Sequence, residues 1–181
     1  DSAGMPLQLS PPGRFLRHVA ALFVRKLDAE ALLTLLKHPL THSGAGRNFH
    51  QLYTQRLEAE IRRHGLPYPS AEGLAEIAER AAKRMEDPSG FRDWIAWVGE
   101  TFPGHDAPSE RPLPECMATH LALAERIAAG ASADPDHLLW QHGAGISAEA
   151  VMANLTEHAV HGGAMNAADY ADLLGALLSQ E

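Results

Sequence analysis

The chain has 181 residues, of which 45% are hydrophobic and 21% charged, and its formal net charge at pH 7 is −8. Its longest apolar run, over 19–24, is far shorter than the roughly 20 residues of a membrane-spanning helix, and no signal peptide opens the sequence. The single cysteine, Cys116, excludes an internal disulfide framework, a zinc site built from cysteines and an iron–sulfur cluster held by this chain alone. We therefore expect a cytoplasmic protein with no membrane partner.

The composition predicts the fold class. The sequence holds 31 Ala and 24 Leu but only 5 Val, 5 Ile and 6 Thr. Ala and Leu favour helices, whereas the β-branched residues that favour strands are scarce. We expect an all-α protein, an irregular multi-helix domain of about eight or nine helices. The prolines and glycines of 1–13 indicate an extended lead-in, which leaves 14–181 as a single helical domain.

Helix signals divide the first half of the chain into three segments. Ser10, followed by two prolines, is typical of a helix start, and Asp28 is placed to cap a second helix that ends before Pro39. A third helix is expected over 47–64, where Gly65 stops it. Its predicted core stripe is Phe49, Leu52, Tyr53, Leu57 and Ile61.

The second half follows the same logic. Ser70 can cap a fourth helix that runs to about 86, and a fifth follows around 91–98. A proline-rich loop is expected over 102–114, and then a sixth helix over 115–129. Three more helices are predicted to start at Asp134-Pro135, at Ser147 and at Asn166.

The charges are unevenly distributed. Residues 1–69 hold nine Lys and Arg against five Asp and Glu, whereas residues 70–181 hold six against eighteen. Such asymmetry can mark one face for a polyanion and another for solvent or a basic partner, and it also arises when solvated helix faces simply differ in charge.

Catalytic patterns are scarce. The glycine-rich run 43–47 lacks the features of a phosphate-binding P-loop, and we interpret it as a turn between helices. His158 and His161 lie three residues apart, but neither of the zinc-binding motifs H-E-x-x-H and H-x-x-E-H occurs. We interpret the two histidines as residues of a helix C-terminus, where they favour the helix dipole, and a metal-dependent hydrolase is the alternative.

Cys116 is expected to pack as a small hydrophobe. Trp94 and Trp97 are expected to pack between helices, with base stacking as the alternative.

One run resembles a known family. The sequence LLTLLKHPL over 32–40 is similar to a helix of superfamily 1 helicase-like proteins of the UvrD/RecB type, at the start of their accessory helical subdomain. Together with three further segments it resembles the AddB family of bacterial helicase–nuclease subunits in its alphaproteobacterial form. These segments are Asp1–Gly4 with Pro6-Leu7, Pro11–Arg14 and Tyr170–Leu174.

The resemblance implies that the chain is a non-catalytic fragment of an ATP-dependent helicase–exonuclease subunit that acts in double-strand break repair and recombination. It implies an AddA-like partner subunit. The nuclease carboxylates, cluster cysteines and nucleotide-binding motifs of the family are not found in these residues, so we expect no catalytic residue, no metal site and no cofactor here.

We expect this region to position duplex DNA or the partner subunit. The candidate phosphate-contacting residues are seven of the nine basic side chains of the first 69 residues: Arg14, Arg17, Arg25, Lys26, Arg47, Arg62 and Arg63. For Arg62 and Arg63 a structural role at a helix end is equally open. The alternative is a protein–protein interaction domain that never contacts DNA, which the acidic 70–181 portion favours.

Overall fold

A computed structural model describes residues 6–180, and it is all-α, as the composition predicts. Eight α-helices account for most of these residues, together with two short 3-10 turns, Leu7–Leu9 and Ala159–His161. The helices are α1 (Pro11–Val24), α2 (Ala29–Leu36), α3 (Arg47–His64), α4 (Ala71–Ala82), α5 (Ser89–Thr101), α6 (Leu113–Ala129), α7 (His142–His158) and α8 (Ala167–Ser179). Strands β1 (Arg111–Pro112) and β2 (Ala164–Met165) form one short antiparallel pair.

Local capping sets four helix starts where the sequence predicts them. The side chains of Ser10, Asp28, Ser70 and Asn166 each accept a hydrogen bond from the backbone N–H three residues later. Each bond satisfies an amide that has no partner within the helix. Gly65 ends α3 with a φ of 74°, a conformation that residues with a side chain avoid.

Two predicted helix starts are wrong. No helix follows Asp134, because its carboxylate accepts hydrogen bonds from the N–H groups of Ala45 and Asp136 and holds a turn against the distant 43–45 segment. Helix α7 begins at His142, so Ser147 lies inside the helix and caps nothing.

The boundaries of two irregular regions also differ from expectation. Residues 7–13 of the predicted lead-in are not extended, because the Leu7–Leu9 turn leads directly into α1, and Ser10 Oγ donates to Leu7 O at 2.6 Å. Residues 1–5 lie outside the described residues. The proline-rich loop is shorter than predicted, because α5 ends at Thr101 and β1 begins at Arg111.

Helix α1 is the centre of the core. It packs against α2, α6, α7 and α8, and its residues Phe15, Leu16 and Val19 are fully buried. The opposite side of α1 carries exposed cations. The core therefore fixes which side of α1 faces outward.

A buried imidazole joins three helices. His120 on α6 donates from Nε2 to Leu16 O of α1 at 2.8 Å, and its Nδ1 accepts from the hydroxyl of Tyr170 on α8 at 2.7 Å. Burial lowers the pKa of His120 to about 4, so the ring is neutral and both of its nitrogens are satisfied.

Helix α3 is rotated relative to the predicted stripe. Leu57 and Ile61 are buried as expected, but Phe49 and Leu52 are exposed, and His50 and Thr54 face the core in their place. The reason lies in contacts with other helices. His50 forms hydrogen bonds with Leu36 O and with the indole of Trp94 in the core, and these bonds make burial of its imidazole favourable.

Candidate functional site

Four of the seven candidate cations lie on or just beyond α1. Arg14, Arg17 and Arg25 are exposed on one side of the helix axis, and Lys26 follows them. Within residues 6–180 none of the four forms an ion pair with a carboxylate. The rise of an α-helix puts Arg14 and Arg25 about 16 Å apart along the axis.

A groove runs between α1 and α2 beside these cations. It consists of two adjoining cavities of 340 and 390 Å³ that share His18 and Thr34. Arg25 and Lys26 line the first cavity, and Arg14 and Lys37 line the second. We call this feature the α1–α2 groove. The apolar residues that line its first cavity are Ala21, Leu22, Leu27, Ala31 and Leu35.

Two imidazoles lie at the middle of the α1–α2 groove. The rings of His18 and His38 are 6.3 Å apart. Burial, with the positive charges of Arg17 and Arg14, lowers the pKa of His18, and burial lowers the pKa of His38 to about 4. His38 Nδ1 accepts from Leu40 N–H at 3.2 Å, which requires an unprotonated nitrogen there. The positive charge of the groove therefore comes from Arg and Lys side chains.

The charge along the α1–α2 groove is not uniform. Asp28 and Glu30 line the same cavity as Arg25 and Lys26. Asp28 is occupied as the cap of α2, where its Oδ1 accepts from Ala31 N–H at 2.8 Å, whereas Glu30 is exposed. The end of the groove near Arg14 is thus more positive than the end near Glu30.

Lys26 is held by an aromatic ring. Its ammonium lies 4.8 Å from the centroid of Tyr68, an exposed residue of the segment between α3 and α4. The Pro67 carbonyl accepts from Ala29 N–H at 3.1 Å, which ties that segment to the start of α2. A cation held in this way presents its charge from a defined position.

The other three candidate cations have partners inside the domain. Arg47 donates to Thr41 O at 2.7 Å and is half-buried, and burial lowers its pKa. Arg62 pairs with Glu58 at 2.7 Å and Arg63 pairs with Glu60 at 3.4 Å. The structure therefore gathers Arg14, Arg17, Arg25 and Lys26 and gives the three α3 residues internal contacts.

Sequence reasoning missed the α2 side of the groove. Glu30, Thr34 and Lys37 recur at positions i, i+4 and i+7, a spacing that places them on one side of a helix. That spacing is a usable signal, but it does not say that this side meets α1. Lys37 is also paired with Glu58, at 2.8 Å, so its charge is partly compensated.

The remaining candidates have structural surroundings. Trp94 and Trp97 are both buried, in agreement with inter-helix packing. Cys116 is half-buried beside Arg111 O, and burial raises the pKa of its thiol.

His158 and His161 lie at the exposed end of α7 and in the turn after it, where His158 donates to Asn154 O at 2.9 Å. Among residues 6–180 no group of three or more His, Cys, Asp or Glu is arranged to hold a metal ion. In the same residues no helix has the length and apolar character needed to cross a bilayer.

Comparison with other proteins gives no family assignment. The chain matches no protein-family model, and comparisons with curated proteins and with solved structures return no similar protein. The resemblance to the AddB family therefore rests on the sequence segments described above.

Proposed function

We propose that this chain is a non-catalytic helical region of an AddB-like helicase–nuclease subunit and that its α1–α2 groove contacts the phosphates of DNA. The observation that carries the DNA contact is the set Arg14, Arg17, Arg25 and Lys26, gathered on one face without a carboxylate partner in the described part of the chain. Uncompensated cations on a fixed surface are what backbone contact requires.

The spacing of these cations fits a nucleic-acid backbone. The distance of about 16 Å between Arg14 and Arg25 corresponds to roughly five base pairs of duplex, since each strand carries one charge per ~3.4 Å of axis. Contacts of this kind fix the position of the duplex and read no sequence. The proposed role is therefore to position DNA.

Two buried histidines support a role without chemistry. His120 is engaged by Leu16 O and Tyr170, and His50 is engaged by Leu36 O and Trp94. Imidazoles with both nitrogens occupied in the core hold helices together and are poorly placed to exchange protons with a substrate.

The AddB resemblance extends the proposal. It adds an AddA-like partner subunit, a cytoplasmic location and cofactors that are bound elsewhere on a longer polypeptide.

The test is duplex binding by the 181-residue chain, followed by fluorescence anisotropy over a salt series. Arg14→Glu and Arg25→Glu, at residues that line the two cavities of the groove, should each weaken binding and lower the slope of log K against log salt by about 0.9 for every phosphate that the variant no longer neutralises. Lys83→Glu is the matched control, because Lys83 is exposed at the end of α4, lines neither cavity of the groove and changes the net charge equally.

Two results would contradict the proposal. One is a salt-independent affinity, and the other is an equal loss of binding with Lys83→Glu, which would indicate a response to net charge alone. Absence of any duplex binding at low salt would favour a protein interaction domain instead.

A further inference from the structure

Helix α3 presents an apolar stripe to solvent. Phe49 and Leu52 are 64% and 51% exposed, and Tyr53 and Arg56 beside them are half-buried. Positions i, i+3, i+4 and i+7 lie on one side of a helix, so these four residues form one surface about 10 Å long. We call it the α3 stripe.

The α3 stripe packs against aromatic residues of the core. The ring of Tyr53 lies 6.2 Å from Phe49 on one side and 5.5 and 5.9 Å from the buried rings of Phe91 and Trp94 on the other. The guanidinium of Arg56 lies 5.9 Å from the Phe91 ring. Because buried aromatic rings pack against Tyr53 and Arg56, the surface is preformed. The side chains of the α3 stripe therefore lose little conformational entropy when a partner binds.

The residue types of the α3 stripe are those of a protein interface. Interface centres are rich in aromatic residues and Arg and poor in Lys and Glu, and exposed apolar patches mark docking sites. The spacing of the stripe is also the one with which a helix packs against another helix. An amphipathic helix with two apolar turns would cover Phe49 and Leu52.

Charge specifies the partner further. Arg56 makes no ion pair with any carboxylate in residues 6–180, whereas the α3 carboxylates Glu58 and Glu60 are held in ion pairs with cations of this chain. A carboxylate on a docked helix can therefore pair with Arg56 without displacing an ion pair of this chain. We propose that the α3 stripe docks an acidic amphipathic helix of another protein, with apolar side chains on Phe49 and Leu52 and an Asp or Glu on Arg56.

A second copy of this chain fits the α3 stripe less well. In a symmetric dimer the α3 stripe would face the same stripe of its copy, which offers Arg56 no carboxylate. Four side chains also fall short of the roughly 800 Å² per partner that a stable dimer buries. We expect a monomer that binds a helical partner with a Kd on the order of 10–100 µM.

The experiment uses two designed helical peptides of about 18 residues, or roughly 27 Å. Both carry the same leucines on one face, and their flanks carry Glu in the first peptide and Lys in the second. Fluorescence anisotropy with the 181-residue chain should give about tenfold tighter binding of the acidic peptide. Arg56→Gln should abolish this preference, and the control Arg17→Gln should retain it.

Substitutions in the apolar part test the location. Phe49→Ser and Leu52→Ser should each weaken binding of the acidic peptide about tenfold. Ile146→Ser is the control, because Ile146 on α7 is similarly exposed, and this substitution should leave the affinity for the acidic peptide unchanged. All three side chains point to solvent, so circular dichroism should report an intact fold. Arg14→Glu should not affect the peptide, which separates this inference from the proposed DNA contact.

Several outcomes would overturn the inference. These are no binding of the acidic peptide at about 1 mM, equal binding of both peptides, or equal weakening by Ile146→Ser. A concentration-dependent dimer in analytical ultracentrifugation that Phe49→Ser abolishes would assign the α3 stripe to a second copy. Binding of oligodeoxythymidine that is lost in Phe49→Ser would assign it to single-stranded nucleic acid.

Discussion

The indole N–H of Trp94 donates to Nδ1 of His50 at 3.1 Å, and Nε2 of the same imidazole donates to Leu36 O at 2.7 Å. The carbonyl can only accept, so the proton of the neutral ring resides on Nε2. One buried histidine thereby joins α2, α3 and α5. Both of its nitrogens are satisfied, which makes its burial favourable.

Trp94→Phe should destabilise the fold by removing this hydrogen bond. The substitution leaves Nδ1 of His50 without its donor in the core, and an unsatisfied buried acceptor costs about 1–3 kcal/mol in free energy of unfolding. Urea denaturation measures the change. Trp140→Phe is the matched control, because Trp140 donates to the exposed Glu125 and water can replace the indole there. Equal losses from the two substitutions would show that ring size, and not the bond to His50, determines the effect.

Stability should fall as the pH decreases from about 6.5 towards 4. His38, His50 and His120 are neutral in the fold, where burial lowers the pKa of each to about 4, whereas in the unfolded chain each titrates near 6.5. Between these values the unfolded state binds more protons, so each histidine withdraws up to about 3 kcal/mol of the free energy of unfolding as the pH falls through that window.

Urea denaturation at pH 7, 6 and 5 tests this assignment. Carboxylates remain ionised over most of that range, so their titration adds little there. A free energy of unfolding that stays constant from pH 7 to pH 5 would contradict the neutral, buried state of the three imidazoles.

Gly130→Ala should be more damaging than an ordinary glycine substitution. Gly130 ends α6 with a φ of 75°, and a Cβ there would meet the buried ring of His42. Gly104 has a φ of 84° but open space around it, so Gly104→Ala reports the backbone cost alone, about 1–2 kcal/mol. Thermal unfolding should show a larger loss for Gly130→Ala, by at least about 1 kcal/mol. A similar loss at both positions would mean that the His42 ring moves aside without cost.

The features predictable from the sequence are those with local causes. Ser10, Asp28, Ser70 and Asn166 cap their helices through bonds to a residue three positions away, and a short stretch of sequence contains both partners. Asp134 looks the same locally, but Ala45 competes for its carboxylate from the far side of the chain. Long-range competition of this kind leaves no trace in local sequence.

The rotation of α3 has a similar explanation. Hydrophobicity alone ranks Phe49 and Leu52 above His50 and Thr54 for burial, so periodicity selects the wrong side for the first two turns. In the structure, the hydrogen bond of His50 to Leu36 O turns the His50 side of the helix towards the core.

The candidate site was predictable only in part. The spacing along α1 places Arg14, Arg17 and Arg25 on one side of that helix, whereas the ion pairs of Arg62 and Arg63 depend on which carboxylates face them.

The α1–α2 groove contains one exposed carboxylate among its lining residues, Glu30, and its removal should strengthen DNA binding. Glu30 lies beside Arg25 and Lys26, where its negative charge repels phosphate. Near a protein surface such a repulsion amounts to roughly 0.5–1 kcal/mol, so Glu30→Gln should raise the affinity for a duplex about threefold at low salt. The gain should shrink as salt is added.

Helix α4 offers a closely matched control for that measurement. Glu72 follows the cap Ser70 by two residues, as Glu30 follows the cap Asp28, so both carboxylates have the same position relative to the helix dipole. Glu72→Gln changes the net charge and the helix end equally but lies outside the α1–α2 groove. An affinity gain confined to Glu30→Gln locates the DNA in the groove. Equal gains from both substitutions would mean that only the overall charge matters, and the groove would lose its assignment.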